Sequence, residues 1–295
     1  RDYMSQIRDP IVEWLKSNSK KPIRFIVLSY GIPSRITNKL ESSPDGSVGF
    51  RLQSALVETG VSKQSDPLYT QLAEAFVSKK FPSTTALITF MNMGSVDATK
   101  AYIQKLNKIA KEMRHPSAIL SAEDAGFSGS TYYFDDTERA YVMPVGLASK
   151  VQVELVGGRV VYQNSAHITA AQDVMGYQTW GANGGQGGDY ANDGKVIFSG
   201  NSTWYLIETI ESLNGQRNSG QGNFRDWFSK TAFGSKNYEF TPVGAVTHVE
   251  EPYLGGINTA LYFKMWQLGF TFAECSAASR STPFFMAVGD PLTKK

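Results

Sequence analysis

Cysteine is almost absent from this chain: Cys275 is the single one in 295 residues, which excludes an internal disulfide and every metal or haem motif that needs several thiolates. Histidine is scarce as well, with only His115, His167 and His248, so imidazole chemistry has three places to occur. No apolar run approaches the ~20 residues of a membrane-spanning helix. Charge of one sign is also missing. The formal net charge is +2 and Lys and Arg are scattered, which leaves a nucleic-acid groove little electrostatic support. The chain begins at Arg1 without a visible signal peptide, which predicts a processed or truncated form.

What is present is a globular composition, 41% apolar and 19% charged, enough to bury a large core. Short apolar runs at 23–30, 84–90, 117–120, 195–199, 242–249 and 283–288 predict strands, because runs of this length with β-branched residues and turn residues at their ends fit buried strands. Helical spacing predicts helices between them. Asp66-Pro67 is a helix start, Ser95 caps a long helix to Arg114, and 257–268 and 272–278 form a pair before the last strand. Alternating strands and helices predict a mostly parallel sheet flanked by helices, and the last fifty residues read as one right-handed βαβ unit. Residues 203–213 read as a further helix. Val151-Gln-Val-Glu-Leu155, Gly157-Gly158 and Arg159-Val-Val-Tyr162 alternate about a Gly-Gly turn, which predicts a β-hairpin inside a β-rich insertion at 125–175. The chain as a whole, 1–295, reads as one α/β domain.

Four segments carry a resemblance. A strand ending in Trp180-Gly-Ala-Asn-Gly184, one ending in Ser199-Gly-Asn-Ser202, the strand at Gly244, and the terminal Gly289-Asp-Pro-Leu292 resemble, in order and spacing, the gingipain-type peptidases of caspase-like fold. Tyr30-Gly-Ile-Pro33 and Glu251-Pro-Tyr-Leu254 make the chain more similar still to an exported bacterial family related to them. The resemblance implies a caspase-like fold and an exported or cell-surface location. In the peptidases a His loop follows one strand and a Cys follows the next, since a thiolate attacks while an imidazole moves the proton. Here the equivalents, Trp180 to Gly184 and Phe198 to Asn201, hold neither residue.

Two functional classes follow. A non-catalytic protein would keep the scaffold for binding or self-assembly, with a protein or another copy of itself as partner. Its candidate binding residues are Trp180, Asn183, Asn201, His248, Glu250 and Glu251, and the fourteen tyrosines suit contact surfaces. The alternative is a hydrolase in which His248, at the carboxyl end of a strand, activates Ser199 or Ser202, with Glu250 or Glu251 orienting the ring. No Gly-x-Ser-x-Gly surrounds either Ser199 or Ser202. Cys275 lies in a small-residue helix, where a free cysteine is a buried hydrophobe more often than a nucleophile. For cofactors the expectation is none. Asp189, Asn192 and Asp193 are a candidate Ca²⁺ site, though without the alternation or closing Glu of an EF-hand a plain Asx turn is the preferred reading. The Gly-rich loop 181–188 lacks phosphate-loop spacing.

Overall fold

The computed structural model describes residues 4–18, 23–29, 31–33, 35–36, 46–47, 52, 86–136, 145–165, 167–181, 189–216, 221–252 and 256–295. The expected helix start at Asp66, the strand residues 84–85 and Asn183 lie outside them. In chain order the elements are a π-helical turn Met4–Arg8, α1 Asp9–Ser17, β1 Phe25–Ser29, β2 Arg35–Ile36, β3 Gly46–Ser47, β4 Leu87–Met91, α2 Val96–Glu112, β5 Leu120–Ser121, α3 Ala122–Ala125, β6 Thr131–Asp136, α4 Val145–Glu154, β7 Arg159–Asn164, β8 Ala170–Gln172, β9 Val174–Thr179, β10 Ile197–Ser199 and β11 Leu206–Thr209. There follow α5 Phe224–Trp227, a 3₁₀ turn Ala232–Gly234, β12 Gly244–His248, α6 Thr259–Gln267, α7 Phe272–Ser279, β13 Phe285–Gly289 and β14 Thr293–Lys294.

Among the described residues eight strands form the central sheet in the order β1-β4-β13-β12-β11-β9-β6-β7. The strands from β12 to β7 pair in parallel, as do β1 and β4, so the molecule is α/β with a mostly parallel sheet flanked by helices. The strands expected near 25, 87, 246 and 287 all lie in it. The apolar runs of β12 and β13 suit strands covered on both faces, and both are buried at every position, whereas the edge strand β1 leaves Val27 exposed.

Helix caps follow the local chemistry. The Ser95 side chain accepts the amide of Ala98 at the start of α2, and Thr271 and Glu274 form a reciprocal capping box on α7. Packing then chose the buried faces. Helix α2 buries Ala98, Tyr102, Leu106 and Ile109 while Ile103 stays 40% exposed. One face of the sheet is covered by α6 and α7: a Cβ at Gly176 would strike Phe263, and one at Gly244 would strike Phe272. Each of these buried phenylalanines contributes about 1.5–3 kcal/mol. On the opposite face Phe198 stacks on Phe233 at 4.5 Å, with Tyr177 and Tyr205 edge-on around them.

Several expectations are overturned. Strand β13 runs antiparallel to β12, pairing Gly244 with Gly289 and His248 with Phe285, so the C-terminal unit is not a βαβ crossover. The two helices expected between these strands are present, as α6 and α7. Residues 203–213 do not form a helix: Leu206–Thr209 is the fully buried strand β11, placed between β9 and β12. The apolar run Trp204-Tyr205-Leu206-Ile207 fits helix or strand locally, and burial on both faces decides for strand. The runs at 117–120 and 195–199 give only the short strands β5 and β10, which pair with β14 and β8 in two-stranded satellites outside the main sheet.

The hairpin is absent too. Residues 145–154 are helix α4, which buries Gly146, Ser149 and Val153. Gly157, at φ +81°, ends the turn that follows it, and Gly158 donates to the carbonyl of Val153 at 3.0 Å. The Gly-Gly pair is thus a helix terminator rather than a hairpin turn. Strand β7 then pairs in parallel with β6 at the sheet's edge, so β6 and β7 belong to the main sheet and not to a β-rich addition on it, while β9 lies in that sheet as the run at 175–180 suggests.

Candidate functional site at the carboxyl edge of the sheet

Strands β9, β11 and β12 run side by side in parallel, with Gly176, Leu206 and Gly244 in register, so their carboxyl ends bring residues 180–181, 210–212 and 248 together. Open α/β sheets bind ligands at such an edge. The sequence places Trp180 and His248 here and the structure agrees, but the group between them is one that the helical reading of 203–213 concealed. Glu211 is fully buried. Its carboxylate lies between Gly181 and Gly222: a Cβ on Gly181 would come within 2.6 Å of Oε2, and one on Gly222 would overlap the same oxygen. Both glycines have positive φ, +54° and +46°, so two absent side chains and two left-handed turns make room for one carboxylate.

His248 is tied into the same knot. It is 1% exposed. Its amide donates to Asn214 Oδ1 at 2.8 Å, its carbonyl accepts from Gly215 at 2.9 Å, and its Nδ1 faces the Glu211 carbonyl at 3.2 Å. Because the facing atom is an acceptor, Nδ1 carries the proton of the neutral ring. Nε2 lies against the backbone of Gly256. Burial pushes the imidazole down to about 4, against the opposing pull of the Glu211 and Gly256 carbonyls and of Glu251. Asn214 also donates to Thr209 Oγ1 at 2.9 Å, which locks the ends of β11 and β12 to each other.

Neighbouring acids are buried as well. Asp135, at the end of β6, accepts from the amide of Trp180 at 3.0 Å, from that of Ile168 at 3.3 Å and from Tyr177 Oη at 3.2 Å. Desolvation raises its pKa well above the ordinary carboxylate value while those donors pull the other way. Gln178 and Glu208 are cross-strand neighbours, both fully buried. Glu208 and His248 line a void of about 20 Å³ with Thr259, room for one water. Sequence reasoning missed Glu208, Glu211 and Asp135; the available signal was a carboxylate at the end of an apolar strand.

The remaining candidates separate. Ser199 and Ser202 sit at the amino end of β9, where the Asp173 amide donates to the Ser199 carbonyl at 3.1 Å and the Val174 amide to Ser202 Oγ at 3.0 Å. His248 is level with the opposite end. Six residues at ~3.3 Å each put about 20 Å between them along the strands, so the Ser199–His248 pair with Glu250 as orienter does not form. Asn201, whose amide bonds Asp173 Oδ1, is likewise on the far edge from Trp180, Glu250 and Glu251. The loop read as the cysteine-loop equivalent, Phe198 to Asn201, therefore belongs to a satellite strand, and the strand beside β9 is β11. Its end, Thr209 to Ser212, also lacks cysteine.

Cys275 is fully buried in α7 and burial raises its thiol pKa. His115 is a surface partner of Asp124 at 2.8 Å. Asp193 accepts the Lys195 amide at 2.9 Å and pairs with its ammonium at 2.7 Å, while Asn192 Oδ1 accepts from Ser229 and Thr231. This is the hydrogen bonding of an Asx turn. Among the described residues no cluster of three His, Cys, Asp or Glu is placed to hold a metal, and no helix is long and apolar enough to cross a membrane.

Comparison with family models, curated proteins and solved structures returned no match. The site therefore has to be read from its own geometry.

A second feature lies between the β4–α2 connection and the segment after β11: an open cleft of about 400 Å³ walled by Met93, Gly94 and Ser95 on one side and by Asn223, Arg225, Asp226, Lys230 and Tyr238 on the other. Asn223 sends its side-chain amide to the Gln216 carbonyl and accepts the Arg225 amide at 3.0 Å, which anchors this wall to the loop beyond β11.

Proposed function

We propose that this chain is a non-catalytic binding protein on a degenerate caspase-like scaffold, exported or displayed at the cell surface and acting through a protein partner or other copies of itself. One observation carries the reading. At the end of β9, where the gingipain-type resemblance calls for a histidine, the chain has Trp180 and Gly181; beside it the end of β11 carries no cysteine, and its Glu211 carboxylate fills the space between Gly181 and Gly222. A nucleophile there would need access and a base. His248 is buried, neutral at pH 7 and bonded to backbone, and Cys275 is sealed in a helix.

The test is turnover. Purified protein offered a panel of peptide and ester substrates should show no hydrolysis above buffer, and His248→Ala and Cys275→Ala should match the parent. Hydrolysis that disappears in His248→Ala while circular dichroism is unchanged would restore the hydrolase reading.

A further inference from the structure

We propose that the cleft beside Gly94 is a ligand site for a small hydroxylated anion of the size of a sugar phosphate or sugar acid. The proposal goes beyond the partner-binding reading above by adding a small-molecule ligand, and it stands or falls independently of that reading. The cleft's volume, about 400 Å³, falls in the ~300–1,000 Å³ range of small-molecule sites.

Two of its walls are cationic side chains, Arg225 and Lys230, against one carboxylate, Asp226. The arginine is placed by the backbone opposite: Gly94, at φ +86°, has Arg225 Cβ and Cγ lying where a side chain would be, so the aliphatic stem packs on the glycine and the guanidinium is carried along the cleft. Asp226 is held less acidic than an ordinary carboxylate, at about 6, by burial and then by Asp189 nearby. It is the natural acceptor for a ligand hydroxyl. Ser95 uses its oxygen to accept the Ala98 amide at 3.1 Å, which leaves its proton to donate into the cleft. Tyr238 adds a half-buried ring, a flat wall suited to the C–H face of a sugar. Anion, hydroxyls and an apolar face are thus all met within one space, whereas an apolar ligand would strand the charges.

Titration calorimetry on the full chain with glucose 6-phosphate, gluconate, glucose and inorganic phosphate tests this. Saturable binding of glucose 6-phosphate or gluconate, with glucose silent and phosphate weaker, is the expected result. The two anionic sugars distinguish the phosphate from the carboxylate source. Arg225→Gln with Lys230→Gln, both exposed positions, should weaken that binding by about tenfold or more with an unchanged melting temperature. No saturable binding of either anion at millimolar concentration overturns the proposal, as does undiminished binding by the variant or glucose binding as tightly as its phosphate; the non-catalytic reading then still stands. Chemical conversion of a bound anion would sink that reading instead, and leave the cleft assignment intact.

Discussion

The hydroxyl of Tyr102 accepts the amide hydrogen of Asp290 at 2.7 Å, joining the middle of α2 to the turn after β13 across 188 residues of sequence. The same hydroxyl donates to the Val243 carbonyl at 2.6 Å. One buried oxygen therefore satisfies two backbone groups at the point where β12 begins and β13 ends. Tyr102→Phe leaves both without a partner, and the expected loss is about 1–3 kcal/mol of unfolding free energy. Urea denaturation measures it; a change within experimental error would show that water replaces the hydroxyl.

Gly222 and Gly126 separate two costs of replacing a glycine. At Gly126, φ +77°, an added Cβ meets nothing within 4 Å, so Gly126→Ala should cost only the left-handed backbone strain, roughly 1 kcal/mol. Gly222→Ala would also drive a methyl into the Glu211 carboxylate. It should be destabilised by clearly more than Gly126→Ala. Equal midpoints in denaturant for the two variants would mean that Glu211 moves aside freely, and that the packed knot is not rigid.

His248 makes stability depend on pH. Its pKa falls from 6.5 in the unfolded chain to about 4 in the fold, so between those values the unfolded state binds more protons. The contribution is intact above pH 6.5, declines as pH falls and is fully lost near pH 4, at most about 3 kcal/mol. Asp135 and Asp226 have raised pKa values and slope the other way. The difference between parent and His248→Asn isolates the imidazole: the variant's profile should lack the drop. Identical slopes from pH 7 to pH 4 would refute the buried neutral ring.

Cys275 should report unfolding. Its thiol is enclosed beneath α7 and its S–H faces the Phe270 carbonyl at 3.8 Å. A bulky maleimide should leave the native protein unlabelled and modify it only as fast as it opens in denaturant. Prompt stoichiometric labelling without denaturant would contradict the burial on which the non-catalytic reading depends.

The sequence by itself determined the elements whose signal is local and strong. Fully apolar runs such as Phe285–Gly289 became central strands, Ser95 capped α2, and Gly269, at φ +82°, closed α6, because burial demand, a side-chain cap and a left-handed turn act within a few residues. It also placed Trp180 and His248 at strand ends. Only the tertiary structure decided matters that depend on partners far along the chain. Val151 to Leu155 fits a helix or an exposed strand equally well until α6 offers it a face, with Lys264 donating to Gln152 at 3.1 Å. Leu206 to Thr209 became a strand because β9 and β12 left a gap with apolar cover on both sides. The direction of β13 against β12, the distance that keeps Ser199 from His248, and the seating of Glu211 between Gly181 and Gly222 are long-range facts of the same kind: they arise from how whole strands pack, and no window of neighbouring residues carries that information.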